Sequence, residues 1–384
     1  MFADCYHPVI NGVVTSIEIL KNRLEAMDEQ VELFVPGKAG YHDNDPHIHR
    51  FFSVTAPFHR ESRFSLPYPW SNVNHLKRNR PDVVHIQTPF NLGLLGEWCA
   101  RRLKIPFVFT HHTLWEEYVH YIPLLSKRML RKTAIDVTRS LCNRSHGIIA
   151  PSEEVRERLI EQGVTREIEV IPTGIDMELF LEGDREVARA AVGVPEGAPV
   201  AVYVGRMGKE KSLAFLLDAF AVIAQRLPEA HLIMVGGGPE RTPLEEQAKA
   251  LGLADRIHFA GYLKRSELVH YLKLARVFLF ASVTETQGLV SLEAQAAGCP
   301  VVAVRASGSS EAVADGVTGY LVPQEKEPFA EAALRVLTDA ELRARFSEAG
   351  VARGWSFSSK AMGDRTLAVY RRAVESYPGA LAPA

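Results

Sequence analysis

Long apolar runs are missing from this chain of 384 residues. None approaches the ~20 residues that a helix needs to cross a bilayer, and Asp4 stands where a secretory leader would carry basic residues ahead of an apolar stretch. Neither export by that route nor a membrane-spanning anchor is expected, and a cytoplasmic protein is. Cysteine is scarce as well. Cys5, Cys99, Cys142 and Cys299 are scattered with no C-x-x-C pair, which argues against a disulfide framework or a zinc knuckle and fits a reducing compartment. Excess charge is also absent: the net value is −2. Residues 1–150 hold 18 basic and 14 acidic groups and the remainder 26 and 32, so the two parts carry +4 and −6. That mild asymmetry speaks against nucleic acid and leaves an acidic membrane surface open as a partner. Internal repeats and low-complexity tracts are lacking too.

What is present is an alternation. Short β-branched runs at 81–87, 106–110, 147–152 and 168–174 are interleaved with helical stretches such as 13–27 and 153–162. After a polar stretch rich in Gly, Glu and Pro, a second series follows at 200–206, 231–238, 256–262, 277–282 and 300–304. Parallel strands with crossover helices are the expected outcome. The length exceeds one ordinary core and 47% of residues are hydrophobic, so two Rossmann-like α/β domains facing a central cleft are predicted. The boundary falls within 175–195, giving domains 1–177 and 178–354. The segment 359–377 has a helical apolar period. The opening run "MFADCY" leaves little room for a first strand, so a start a few residues upstream is expected, with a weakened sheet edge otherwise.

The stretch "ETQGLVSLEAQAAG", residues 285–298, sets Glu285 in a loop and Glu293 inside a helix running from about Leu289 to Ala297, stopped by Gly298 and Pro300. Unpaired amides at that helix start, with Gly288 permitting close backbone approach, suit a phosphate. Glu293 follows Gly288 by about 7.5 Å along the axis, and its side chain leans back toward the N-terminus. A ribose on one side of a diphosphate and a sugar on the other would give both carboxylates hydroxyl groups to bind, while Arg206 and Lys211 in "VGRMGKEKS" balance the phosphates. The plain reading is a solvated loop glutamate and a helix-surface charge; only the combined context sets it aside.

That context resembles a family. "ETQGLVSLEAQAAGCPVVA" resembles the E-x(7)-E signature of retaining glycosyltransferases of family 4, which have the two-Rossmann GT-B fold. "HPVINGV", "THHT", "IAPSEEVRERL", "IPTGID", "GRMGKEK", "VGGGPER" and "EAVADGVTGYLV" fit in order, over about residues 2–330. The resemblance implies that Glu285 contacts the donor sugar and Glu293 the nucleotide ribose. It implies that Arg206 and Lys211 hold the diphosphate together with the backbone of Gly288, Leu289 and Val290. Gly12 in "NGV" would approach the diphosphate and His112 would sit near the reacting sugar. The last helix, about 355–384, would return to the first domain. Gln287, where the family commonly has Phe, together with "THHTLWEEYVHYIP" is similar to the diacylglycerol glucosyltransferase branch. The implied activity is transfer of a hexose, glucose above others, to a membrane lipid such as diacylglycerol. A UDP-sugar is favoured over a GDP-sugar as co-substrate, with no cofactor and no metal. The resemblance implies front-face attack by the acceptor, with no covalent nucleophile.

Other readings are weighed against these. A mannosyl- or other hexosyltransferase using a GDP-sugar, a sugar-nucleotide epimerase of the same fold and a non-catalytic nucleotide-sugar-binding protein remain alternatives. Dinucleotide binding fails at "VGGGPER", because Arg241 occupies the third glycine position of G-x-G-x-x-G. His112, Glu116 and His120 at i, i+4 and i+8 would share a helix face and could ligate a metal, but "FVFT" argues that His112 closes a strand. "DND" at 43–45 reads as a turn rather than a D-x-D metal motif. Within 122–145, Lys127, Arg128, Arg131, Lys132 and Arg139 share one helix arc with Leu124 and Ile135 interleaved. That arc is either a solvated face or a dock for anionic lipid, which would make the protein peripheral on the inner face of the membrane.

Overall fold

The computed structural model describes residues 1–9, 11–56, 59–66, 69–113, 126–284 and 287–378. The chain divides into two compact units, Met1–Gly174 with Ser359–Ala384, and Ile175–Ser358.

In the second unit, short β-branched runs become six parallel strands in the order Ile257–Gly261, His231–Val235, Val200–Val204, Val277–Phe280, Val301–Val304, Gly319–Val322. Val200–Val204 is buried at every position. Burial on both faces explains why the strand is a continuous apolar run rather than an alternating one. Helices such as Leu213–Arg226 and Lys326–Thr338 supply the covering layers through Leu216, Leu217, Phe220, Phe329 and Leu337, all buried in one core. The strand order reverses direction between Val200–Val204 and Val277–Phe280. Such a topological switch leaves a crevice at the strands' carboxyl ends.

The first unit repeats the scheme. Val84–Ile86, Phe107–Thr110, Gly147–Ala150 and Ile168–Val170 are parallel neighbours, and Leu33–Pro36 pairs with Ile48–Phe51. The chain start joins the two groups: Phe2 bridges both Phe34 and Ile86. Its amide donates to the His85 carbonyl at 2.9 Å, and its carbonyl accepts from the Gln87 amide at 2.8 Å. This corrects the expected weak edge, since the short first strand lies in the sheet interior. A two-stranded antiparallel ribbon, Ser53–Ala56 with His59–Ser65, is an addition the alternation did not signal.

One further difference concerns a join. The polar stretch after residue 175 is not extended: it forms the helices Met177–Leu181 and Arg185–Val192, the second capped by Asp184, whose side chain accepts from the Glu186 amide. Met177, Phe180 and Ala188 are buried in the second unit's core, so a few apolar positions outweigh a loop-like composition. The helix Ser359–Glu375 packs on Gly12–Glu25 through Met362, Val369, Tyr370 and Ala373, buried with Ile19, Leu20 and Leu24. No helix among the described residues is long and apolar enough to cross a membrane.

Candidate functional site

The second unit's switch point gathers most of the predicted donor-site residues. The loop after Val200–Val204 carries Arg206, and a short 3-10 turn, Lys209–Lys211, carries Lys211. The loop after Val277–Phe280 leads to Gly288 and the helix Leu289–Ala296. Thr284 Oγ1 reaches the Glu210 carbonyl at 3.5 Å, so the two loops meet. Gly288 is the N-cap, with φ +69° and ψ 43°. A Cβ there would also lie 3.0 Å from the Gly308 carbonyl oxygen, so both backbone sign and space require glycine. The Ser291 and Leu292 amides turn back onto the Gly288 carbonyl at 2.9 and 3.4 Å. The amides of Leu289 and Val290 have no acceptor among the described residues and point out of the helix start, where the partial positive charge lies. Gly298, at φ +78°, follows the C-cap Ala297 and ends the helix where expected.

Two partners, one acidic and one basic, escaped the sequence reading. Arg206 Nη1 donates to Glu210 Oε1 at 3.0 Å, and Glu210 is largely covered. That carboxylate fixes the guanidinium beside the crevice before any anion arrives. Glu293, expected as a helix-surface charge on the plain reading, is only 4% exposed. Arg265 Nη2 donates to its Oε1 at 2.6 Å from the first turn of Arg265–Leu274. The partner sits 28 positions away in "FAGYLKRSEL"; only the fold, which sets both helices after strands of the same parallel sheet, brings the two together. Glu285, the other half of the carboxylate pair, lies outside the described residues.

His112 and Gly12 belong to the first unit. The strand Phe107–Thr110 ends two residues before His112, which is in a loop and half-buried. Its Nε2 lies 2.7 Å from Gln87 Oε1. An amide oxygen only accepts, so the ring carries its proton on Nε2. The Gln87 amide nitrogen then reaches His85 Nδ1 at 3.1 Å, the Tyr370 hydroxyl reaches the same nitrogen at 2.6 Å, and His85 Nε2 lies 2.7 Å from Thr110 Oγ1. Burial, helped by the neighbouring His111, pushes His112 down to about 3. Burial foremost holds His85 well below its ordinary value. Both rings are therefore neutral hydrogen-bonding groups at physiological pH. Glu116 and His120 lie outside the described residues, and His112 is engaged with Gln87 rather than opening a helix.

At the start of Gly12–Glu25, Asn11 caps the helix by accepting from the Val14 amide at 2.9 Å. A Cβ on Gly12 would meet nothing within 4 Å; the protein's own packing does not demand glycine there. Asp4 and Thr88 close the loops beside it, Asp4 accepting from the Leu92 amide at 2.8 Å and from the Thr88 hydroxyl at 2.6 Å. This distant carboxylate caps Asn91–Leu103, whose own N-cap Phe90 has no side-chain bond. In "DND", Asp43 forms a bidentate pair with Arg50 at 2.7 and 2.8 Å, and Asp45 pairs with Lys21 at 2.6 Å. The two carboxylates are committed to separate cations in a loop. The helix holding the basic arc runs Lys127–Arg144, with Lys127, Arg128, Met129, Arg131 and Lys132 exposed, and residues 122–125, including Leu124, lie outside the described part. Arg139 is tied to Asp136 at 2.8 Å.

Two family models match the chain, Glycosyltransferase Family 4 over residues 10–179 and Glycosyl transferases group 1 over residues 184–353. Alpha-monoglucosyldiacylglycerol synthase from Streptococcus pneumoniae is 37% identical over 312 residues, covering 79% of this chain and 70% of that one. The chain belongs to glycosyltransferase family 4. A second synthase of that name, from Acholeplasma laidlawii, is 32% identical over 340 residues, 85% of each chain. The solved structure of HepE from Anabaena in complex with UDP superposes with a TM-score of 0.76 at 21% identity, covering 94% of this chain and 96% of that one. The family 4 glycosyltransferase described here thus has the GT-B fold expected from its sequence, and is a hexosyltransferase of the branch that Gln287 indicated.

Proposed function

We propose that this family 4 enzyme transfers glucose from UDP-glucose to a diacylglycerol-type membrane lipid, with retention of configuration. What carries the reading is the pair of relatives named alpha-monoglucosyldiacylglycerol synthase, matched over most of both chains. UDP in the Anabaena neighbour supports the choice of base. The second unit, Ile175–Ser358, holds the donor, and the first holds the acceptor. Arg206, Lys211 and the amides of Leu289 and Val290 meet the diphosphate, where charge grows as the C1–oxygen bond to phosphate breaks. The acceptor hydroxyl forms its bond to C1 on the same face and passes its proton to the departing phosphate oxygen. Glu293, steadied by Arg265, accepts from the ribose hydroxyls, and Glu285 from those of the sugar. His112, proton on Nε2 and held by Gln87, offers its other nitrogen to a sugar hydroxyl. Gly12 lets backbone approach the phosphates. No metal and no cofactor enters the reaction.

The helix Lys127–Arg144 is the candidate membrane dock. It has no acidic residue in its first turn and four cations in its first two. Cations at a helix N-terminus oppose the dipole, so their placement there favours an anionic partner outside the chain. A matrix of UDP- and GDP-sugars against lipid and soluble acceptors, with the product anomer determined, tests the reaction. An α-glucosyl lipid made from UDP-glucose is expected; a β-linked product refutes retention, and donor epimerisation without acceptor points to the epimerase reading. In flotation with anionic vesicles, reversing Arg128 and Arg131 to Glu should lower binding at least tenfold, at roughly 1 kcal/mol per basic group near the surface. Binding that ignores both the reversal and the lipid charge removes the dock.

A further inference from the structure

Three histidines and one glutamate converge in the first unit, on groups with no part in the donor site. Glu32 immediately precedes the strand Leu33–Pro36, His47 and His49 come from the segment forming Ile48–Phe51, and His75 from the helix Pro69–Arg78. One carboxylate oxygen, Glu32 Oε2, faces two imidazoles: His75 Nε2 at 3.3 Å and His49 Nε2 in a short contact. His47 Nδ1 approaches the other oxygen, Oε1, at 3.3 Å. The His49 and His75 rings are 4.4 Å apart, and Phe34 walls them in, stacked on His49 at 4.8 Å and edge-on to His75 at 6.0 Å. One histidine would satisfy this carboxylate; three converging rings call for another explanation.

We propose that Glu32, His49 and His75 form a zinc site. The three donor atoms lie within 4.8 Å of one another, close enough to meet on one ion after small ring rotations. Ligands about 2.0–2.1 Å from a tetrahedral zinc lie about 3.3 Å from each other, the separation already present between His75 Nε2 and Glu32 Oε2. Two imidazoles and a carboxylate suit zinc rather than magnesium or calcium, which take oxygen ligands. Water completes the fourth position. His47 on the far carboxylate oxygen is the outer-shell hydrogen bond that orients a ligating carboxylate. The role is structural. Glu32 lies at the amino end of its strand, whereas His112 and Gly12 follow the carboxyl ends of theirs, where ligands of such sheets bind. The ion would fasten Pro69–Arg78 to the outer strand pair, beside the core in which Leu76 is buried with Phe34 and Phe51.

The full-length chain, purified without a histidine tag, stripped with chelator and dialysed against micromolar zinc chloride, should retain one zinc per chain by elemental analysis and none from magnesium chloride. Cobalt(II) should give the intense visible bands of a tetrahedral site with nitrogen ligands. Glu32→Gln and His75→Ala should each weaken zinc at least tenfold, and His47→Ala by less. Zinc should raise the Tm of the parent chain but not that of His75→Ala. Zinc well below one per chain, or zinc held as tightly by both ligand variants, overturns the proposal. Should a variant fail to fold, a cobalt spectrum lacking tetrahedral bands in the parent chain overturns it as well.

Discussion

The two units share a strand order and differ in what they place at its reversal. In the second unit the crevice is ionic: Arg206 with Glu210, Arg265 with Glu293, and helix amides at Leu289 and Val290 that have no acceptor among the described residues. In the first, the network around His112 is neutral: Gln87, Thr110 and, behind them, His85 and Tyr370 are joined by hydrogen bonds, and burial keeps both rings uncharged. A diphosphate needs fixed cations and dipoles. A sugar or a lipid hydroxyl needs donors and acceptors in defined protonation states. On the function proposed above, one scaffold would serve two partners through chemistry at the loop ends, as the fold alone would not dictate.

The contrast breaks first at Arg206. Arg206→Ala should lower kcat/KM by roughly 10²–10³, about 2.7–4 kcal/mol of transition-state stabilisation. A loss under about threefold in steady-state kinetics would show that the ionic crevice does not hold the leaving group. Next comes Gly288→Ala, which forces a side chain into the left-handed region and toward the Gly308 carbonyl. Its cost should be about 2 kcal/mol in denaturant unfolding. The matching change in the first unit, Gly12→Ala, meets empty space and should leave stability within about 0.5 kcal/mol. If the proposed close approach of a diphosphate is right, it still raises the donor KM; an unchanged KM removes Gly12 from the site.

The neutral crevice makes its own prediction. With the folded His112 pushed down to about 3 and the unfolded ring near 6.5, the unfolded chain binds the extra proton between those values. Stability is fully present above about 6.5 and falls as pH drops toward 3, by up to ~1.4 kcal/mol per pH unit from this ring. His112→Asn should flatten the slope measured between pH 6.5 and 4.5 by that amount. A slope identical to the parent's would mean that the ring is not held neutral.

Much of this was legible in the sequence, because β-branched runs and turn glycines act locally. The strands expected from the β-branched runs, the helix after Gly288 and its stop at Gly298 fall within a few residues of expectation, whereas the strands Leu33–Pro36, Ile48–Phe51 and Gly319–Val322 were not anticipated. Other features were not legible because they depend on partners far along the chain. Nothing near Glu293 announces Arg265, and nothing near Phe90 announces the cap supplied by Asp4. The segment after residue 175 has the composition of a loop and becomes helical only because Met177, Phe180 and Ala188 find a core. Glu32 and His75 are 43 positions apart, and no spacing rule joins a residue just ahead of a strand to a helix four elements later.

The return of Ser359–Glu375 to the first unit has a further consequence, for the order in which the chain can fold. The His85–Tyr370 bond spans 285 positions, so the first unit, although it begins at the N-terminus, stays incomplete until the last helix has left the ribosome. The second unit has all its strands earlier. Its two ends lie side by side, Ile175 bridging Ser358 and its amide bonded to the Phe357 carbonyl at 2.8 Å. Once folded, it shortens a long excursion to a step between neighbours, and the entropy of closing that loop falls away before the final helix docks. The unit that is synthesised second is therefore the one that lets the first be finished.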